Sequence, residues 1–559
     1  MEKFLKLKSV LILGFAVIIL PFFVRAVSLG SEGEFFVEQN YDVDNREQIL
    51  AKLKKISNKA YFYIESDWWD DLTTDQKNEY SVIISDLADK FDDEIYPVMT
   101  ETFGHEWKSG IDADYKITVL FHETEGGVAG YFRSVDEFTK MQASNSNERE
   151  MVYLSGEVLG RTYPESYLAH EFMHLITFNQ KNKINLVEEE VWLNELRAEY
   201  APTLLGYDDK YAGTNLQQRI KDFTQDPNNN LIDWQGESVD YGVINLFGQY
   251  LVEQFGIEVL ADSLKSEKIG LASLNYVLNE LGVDKNIEEI FTDWQIAISA
   301  NDCEIGEEYC YQNQFLGSIK AVPSLIYLPS TQEAHFSLIY SIQPWSGHWY
   351  KIVGGNKSLK VEFTALDDGD FIIPYFIEQD NRVQELKFLE VKNGKGIIEI
   401  PYFGQDGKSI TLVPGTMGEN DDYRFSLDIY TFSTPVVKTI DEMTEEELMA
   451  KILEIQQLLN NLLIQLQQLK AQECLSINQN LYFGMVDSSE VKCLQQLLVD
   501  EEVYPEAIVN GNFFTLTQDA VIKFQNKYKS EILTPVGLSV GTGYVGSMTL
   551  GKINQLLSK

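Results

Sequence analysis

His170 and His174 stand four residues apart with Glu171 beside the first, in the run SYLAHEFMHLITF, and two imidazoles next to a carboxylate make a metal-binding fragment. On a helix, that step puts both rings one turn apart on one face, where two nitrogens reach one tetrahedral ion. Glu171 then lies beside the ion rather than on it. A carboxylate so placed can take a proton from a water whose pKa zinc has lowered to roughly 7. The H-E-x-x-H spacing is thus the pattern of a hydrolytic zinc site. A catalytic zinc keeps three protein ligands and one open position, so a third ligand is expected downstream. Glu195, in WLNE, is the candidate. Glu199 falls one helical turn later on the same face, where a carboxylate can accept the outer N–H of a ligating imidazole. Asn194 is a second candidate for that orienting role. Tyr241 could hydrogen-bond an oxyanion formed at a scissile carbonyl, or serve as a plain core aromatic.

These residues need a frame. Helical periodicity covers 164–179, then 187–206, and then three segments between 230 and 300, giving a helical lobe after the signature. Before it, KITVLFHE and MVYLS read as strands around the glycine-rich EGGVAGYFRSVDEF. Further upstream, REQILAKLKKISNKA and the segment from TTDQKNEY to DEIYPVM read as amphipathic helices flanking a short strand, AYFYIES. His105 and His122 are expected to be packed or surface residues, and His335 and His348 receive no role.

The runs AGYFRSVDEF, SYLAHEFMHLI, WLNELRAEYA and DYGVINLFGQYLVEQFG resemble the gluzincin metallopeptidases, most closely the hyicolysin-like neutral zinc metallopeptidases, over about residues 35–300. The resemblance implies a zincin-like α+β fold, a mixed sheet plus a helical lobe. It also implies one Zn2+ bound by His170, His174 and Glu195, with Glu171 as catalytic base. Related sites commonly read WLNEG. Here Leu196 and Arg197 follow the ligand, which predicts a different substrate clearance on that side.

Composition sets the surroundings. With 559 residues the chain is too long for one core. Against 45 basic residues stand 86 acidic ones, a formal charge of −41 that excludes nucleic acid and anionic lipid as natural partners. Lys3, Lys6 and Lys8 precede an apolar run ending in Val24, Arg25 and Ala26, the layout of a secretory signal peptide over 1–26. Pro21 and Arg25 also fit an uncleaved anchor, the one route to membrane association. Export permits disulfides, and proximity pairs Cys303 with Cys310 and Cys474 with Cys493, two sets of free thiols being the alternative.

Past the expected peptidase domain, 33–318, short alternating runs over 319–436 predict an all-β sandwich. It resembles the jelly-roll accessory domains of secreted peptidases, and its DDGD at 367–370 reads as a turn rather than a calcium loop. Residues 441–472 carry a heptad seam from Leu448 to Leu469, which predicts a helical stalk open to self-association or to packing on a neighbour. The last unit, 474–559, contains VKCLQQLL, then GNFFTLT, then AVIKFQ. It resembles peptidoglycan-binding domain type 1, a small helical module, which implies attachment to the cell wall. The expectation is a multidomain, exported, wall-associated zinc endopeptidase acting on protein or peptide. The alternatives are a hydrolase of peptidoglycan peptide stems and a non-catalytic wall-binding or adhesive protein with a vestigial zinc site.

Overall fold

The computed structural model describes residues 28–433 and 476–558, less 381, 405–406, 418–421 and 506, together with positions 449, 452, 456 and 459. The signal segment, nearly all of the heptad seam and Cys474 lie outside the described residues. The chain divides into two compact units between Thr434 and Pro435.

Unit one begins with a six-stranded sheet: β1 (Glu32–Phe36), β2 (Gln48–Ile56), β3 (Ala60–Glu65), β4 (Ile117–His122), β5 (Gly130–Phe132) and β6 (Met151–Ser155). Their spatial order is β1-β2-β3-β4-β6-β5, with β4 parallel to both β3 and β6 and the other pairs antiparallel. β5 therefore forms one edge. Period-two alternation sends Ile117, Val119 and Phe121 to the helical side, while Leu120, Tyr131 and Tyr153 join a smaller core on the opposite face.

β2 corrects the helix expected for REQILAKLKKISNKA. Its apolar residues at 49, 50, 53 and 56 do fit a helical stripe, but alternation decides. Ile49, Ala51 and Leu53 are buried, Leu50 is 51% exposed, and β2 pairs with β1 and β3 on either side. Pairing on both edges satisfies the backbone groups of β2 as fully as a helix would, and burial of its alternating apolar face tips the choice.

The helices are α1 (Ser66–Asp71), α2 (Thr74–Lys90), α3 (Tyr96–Phe103), α4 (Pro164–Thr177), α5 (Val191–Leu204), α6 (Asn215–Gln225), α7 (Ser238–Phe255), α8 (Glu258–Lys265), α9 (Gly270–Glu280) and α10 (Ile287–Ala300). A wider π-type turn, Phe178–Asn185, continues α4. The expected disulfide Cys303–Cys310 is present, and among the described residues no cysteine is free. No described helix is long and apolar enough to cross a membrane.

A four-stranded and a five-stranded antiparallel-rich sheet follow over residues 324–432, enclosing their own apolar core. Asp367 of DDGD accepts three bonds from Arg424, which ties it up as a turn anchor. The sandwich also shares the helical core: Trp345 and Trp349 pack within it, and Trp349 Nε1 donates to the Gln295 carbonyl on α10 at 2.9 Å.

Unit two holds the helices Ser489–Asp500, Thr515–Lys527 and Ser547–Leu557 around one small core. An internal repeat, unread in the sequence, organises it. The buried Gln495 side chain accepts from Asn510 N and Gly511 N and donates to Asn512 O and Thr517 Oγ1. Gln525 repeats those four bonds with Thr542, Gly543, Tyr544 and Thr549.

If the sandwich and the helical lobe share one core, Trp349→Ala should cost about 3–5 kcal/mol. Urea unfolding followed by near-UV circular dichroism should show a lowered midpoint for all of unit one together.

Candidate functional site

α4 starts at Pro164, whose fixed φ suits a first helical turn. Leu168, Ala169, Phe172, Met173, Leu175 and Ile176 are all 1% exposed or less and bury one broad face. Of the remaining stripe, His170 and His174 turn toward α5 and Glu171 toward β5. The helix is thus apolar apart from one polar seam.

Among the described residues one group of three His, Cys, Asp or Glu side chains could hold a metal ion: His170, His174 and Glu195, with donor atoms all within 4.8 Å of one another. His170 Nε2 lies 3.4 Å from Glu195 Oε2, and His174 Nε2 lies 3.6 Å from Glu195 Oε1. A tetrahedral ion with bonds of about 2.0–2.1 Å needs donors roughly 3.4 Å apart; the two nitrogen–oxygen pairs are near that spacing, and the set as a whole is somewhat wider, so these three side chains could hold a cation. Both outer ring nitrogens are occupied. His170 Nδ1 faces Glu199 Oε1 at 3.3 Å, and His174 Nδ1 faces Asn194 Oδ1 at 3.2 Å. Each partner directs the Nε2 atom inward.

Glu199 is fully buried, and α6 neutralises it. Arg219 Nε and Nη2 donate to its two oxygens at 2.7 and 2.8 Å, and Asn215 Nδ2 adds a third bond at 2.8 Å. Burial alone would raise the pKa of Glu199, but the Arg219 guanidinium and His170 hold it far below the carboxylate range. Arg219 also donates to Asp222 at 3.1 Å and lies 4.6 Å from the centre of the Tyr241 ring. Sequence reasoning missed Arg219 and Asn215. The available signal was faint: an Arg and an Asp at i and i+3 beside the apolar stripe of an amphipathic helix.

Glu171 is 6% exposed, and its Oε2 has no hydrogen-bond partner. The β5 backbone runs directly past it, since a Cβ on Gly130 would sit 2.7 Å from Glu171 Oε1. Burial, reinforced by Glu195 and Glu199 and opposed by His170, pushes the Glu171 carboxyl up to about 8. Burial lowers the pKa of His174. It would lower that of His170 too, but the facing carboxylates of Glu195 and Glu199 prevail and raise it. Tyr241 is half-buried, with Trp234 edge-on to its ring at 4.8 Å. Burial and the nearby charges of Glu195 and Glu199 keep its hydroxyl protonated, as a donor must be.

The expectation about Leu196 and Arg197 is corrected. Both are 0% exposed and face the core rather than a cleft. Arg197 donates to Glu189 at 2.8 Å and to Leu260 O and Ser263 Oγ, while Leu196 packs on Gly248. His122, fully buried between Asp42 and Tyr131 on the far face of the sheet, is the packed histidine expected.

No family model matches the chain, and no curated protein matches it. Among solved structures, the chain is similar to the pre-peptidase C-terminal domain of a collagenase from Bacillus anthracis, at 12% identity over 20% of this chain and 98% of that one, with a TM-score of 0.14. It is also similar to PliG of Salmonella Typhimurium, a periplasmic inhibitor of g-type lysozyme, at 16% identity over 19% and 97% of the two chains, with a TM-score of 0.13. At such scores these likenesses carry no argument.

If His170, His174 and Glu195 hold a metal ion, Arg219→Met should weaken its binding about 10–100-fold by releasing Glu199 from its place behind His170. Competition with a chromophoric chelator measures that loss, and an unchanged affinity would show that Glu199 holds His170 without α6.

Proposed function

We propose that the chain is an exported zinc-dependent endopeptidase held at the cell wall by its second unit. The observation that supports this best is the convergence of two imidazole Nε2 atoms on Glu195 with the unpartnered Oε2 of Glu171 buried alongside. Zinc at His170, His174 and Glu195 would acidify a water and polarise a carbonyl. Glu171 would accept the proton of the attacking water at its free oxygen and return it to the leaving amine. A cation beside Glu171 also draws its carboxyl down from about 8 toward the ionised form that a base requires. Tyr241 would donate to the developing oxyanion. β5 ends the sheet next to Glu171, and an extended peptide could add to that edge through main-chain hydrogen bonds, which favours peptide as substrate.

For wall attachment, the support lies in unit two. Leu481 pairs with Val545, and Gly484 N donates to Phe513 O, so three turns lie side by side. They expose Tyr544, Tyr482, Phe483 and Phe514, rings suited to stacking on sugar faces.

Two measurements test the hydrolase reading. Glu171→Gln should lower peptide turnover about 10²–10⁴-fold while one metal ion stays bound, and wild-type proteolysis in that variant would sink the assigned base. Metal affinity should weaken as pH falls, because His170, whose pKa is raised in the metal-free protein, then binds a proton in competition with the ion. Titrating affinity against pH by calorimetry measures this, and a flat profile would contradict it.

A further inference from the structure

Glu137 and Glu150 meet in a buried place apart from the histidine site. Glu137 ends the short 3-10 turn Ser134–Glu137 that follows β5, and Glu150 directly precedes β6, so the pair brackets the connection between these two strands. Their residues are 1% and 3% exposed. Arg149 N donates to Asp136 O at 3.0 Å, which sets the residues just ahead of the two glutamates side by side. Glu150 Oε1 accepts from Ile111 N at 2.9 Å, but neither oxygen of Glu137 receives a hydrogen bond. Room has been cleared for Glu150. A Cβ on Gly110 would stand 1.5 Å from its Oε2, and Gly110 has a φ of +47°, so the loop can pass only as glycine.

Two buried carboxylates on adjoining segments, out of water, need something positive or a proton nearby. Lys183 acts on Glu137 from nearby, but among the described residues no cation bonds to either carboxylate. Lys183 Nζ donates to the carbonyl of Glu137 rather than to its carboxylate, at 3.1 Å, and lies over the rings of Trp107, Phe138 and Phe178. Asp136, next in the chain, is engaged by Tyr153, Asn147 and Arg133. Asp112 adds negative charge on the Glu150 side, and Arg149 acts on Asp112.

We propose that Glu137 and Glu150 bind a hard divalent cation of the calcium type, which braces residues 107–112 against the connection from β5 to β6. The donors are all oxygen, as such ions prefer, and no imidazole or thiol is at hand to favour zinc. With two side chains as ligands, carbonyl oxygens and water fill the other positions, as is ordinary for calcium and less so for magnesium's strict octahedron. The consequence reaches the histidine site. β5 holds Gly130 against Glu171, so a cation at its end would fix the strand that closes over the candidate base. This site does not depend on the hydrolase reading.

The test uses the full chain at mildly alkaline pH, which favours the ionised carboxylates that a cation needs. Saturating calcium should raise Tm by roughly 5 °C in the wild type and equally in His170→Ala, which lacks the other metal site. Glu137→Gln should abolish the rise. Terbium, a calcium mimic, should luminesce on excitation of Trp107 in the wild type and in His170→Ala, a readout that stands even if Glu137→Gln fails to fold. Calcium without effect on wild-type Tm together with dark terbium overturns the proposal, as does a calcium shift that survives in Glu137→Gln. A Tm that ignores calcium and falls as pH rises through about 7 overturns it in favour of a shared proton, since burial raises the folded-state pKa of Glu150 to about 7. A loss of terbium signal in His170→Ala would place the bound ion at the histidines and overturn it too.

Discussion

Three carboxylates, Glu171, Glu195 and Glu199, are crowded against two imidazoles in a pocket that water barely enters, and the helical lobe is arranged around meeting that electrostatic demand. One positive charge is built in. Arg219 takes Glu199 in a two-pronged grip, which offsets a desolvation cost of several kcal/mol and fixes the carboxylate that in turn fixes His170. Asp222 steadies Arg219 from behind. The line from Asp222 through Arg219 and Glu199 to His170 therefore carries position as well as charge. Glu195, shared between the two Nε2 atoms, and Glu171, pushed toward its neutral form, express a pocket whose remaining imbalance a cation would remove.

Packing makes that line possible. α6 must come close enough for Arg219 to reach α5, and Gly242 of α7 permits it, since a Cβ there would lie 2.4 Å from Phe223 N. The passage from α4 to α5 is fixed by a second buried ion group. Lys181, fully buried, donates to the carbonyls of Ser263 and Ser266 and sits 3.3 Å from Glu189, which Arg197 binds from the other side. Removing one charge from such a group would leave the others uncompensated, at a cost near 3–5 kcal/mol. Arg197 is thus the inward counterpart of Glu195. One turn of α5 serves the site with one face and the scaffold with the other.

The parts of the site that were legible in the sequence are those that a single helix encodes. The four-residue step between His170 and His174, and that between Glu195 and Glu199, are local, and helical geometry alone places each pair on one face. Arg219 was not legible because no spacing rule relates α6 to α5, and only the tertiary approach joins them. β2 was misread because its lysines and apolar residues satisfy two periods at once, and the choice between them was made by β1 and β3. The error over Leu196 and Arg197 differs in kind. A family pattern says nothing of direction around the helix, whereas periodicity turns the residues one and two steps beyond Glu195 about 100° and 200° away from it around α5, toward the core.

The same reasoning bears on the sandwich that follows the helical lobe. Leu231 N donates to Trp345 O at 2.9 Å, and Asn230 Nδ2 donates to Pro344 O at 2.7 Å, so residues 226–237 are tied to the sandwich just before α7 begins. That segment carries Trp234, whose ring meets Tyr241 edge-on, while Arg219 lies against Tyr241 as well. Tyr241 is thus positioned from two directions, by the residue that neutralises Glu199 and by a loop whose anchor lies outside the helical lobe. A sandwich that only tethered the lobe would not need two tryptophans in the lobe's core. Trp345 and Trp349 are there, which makes the sandwich part of the scaffold that sets this wall of the site.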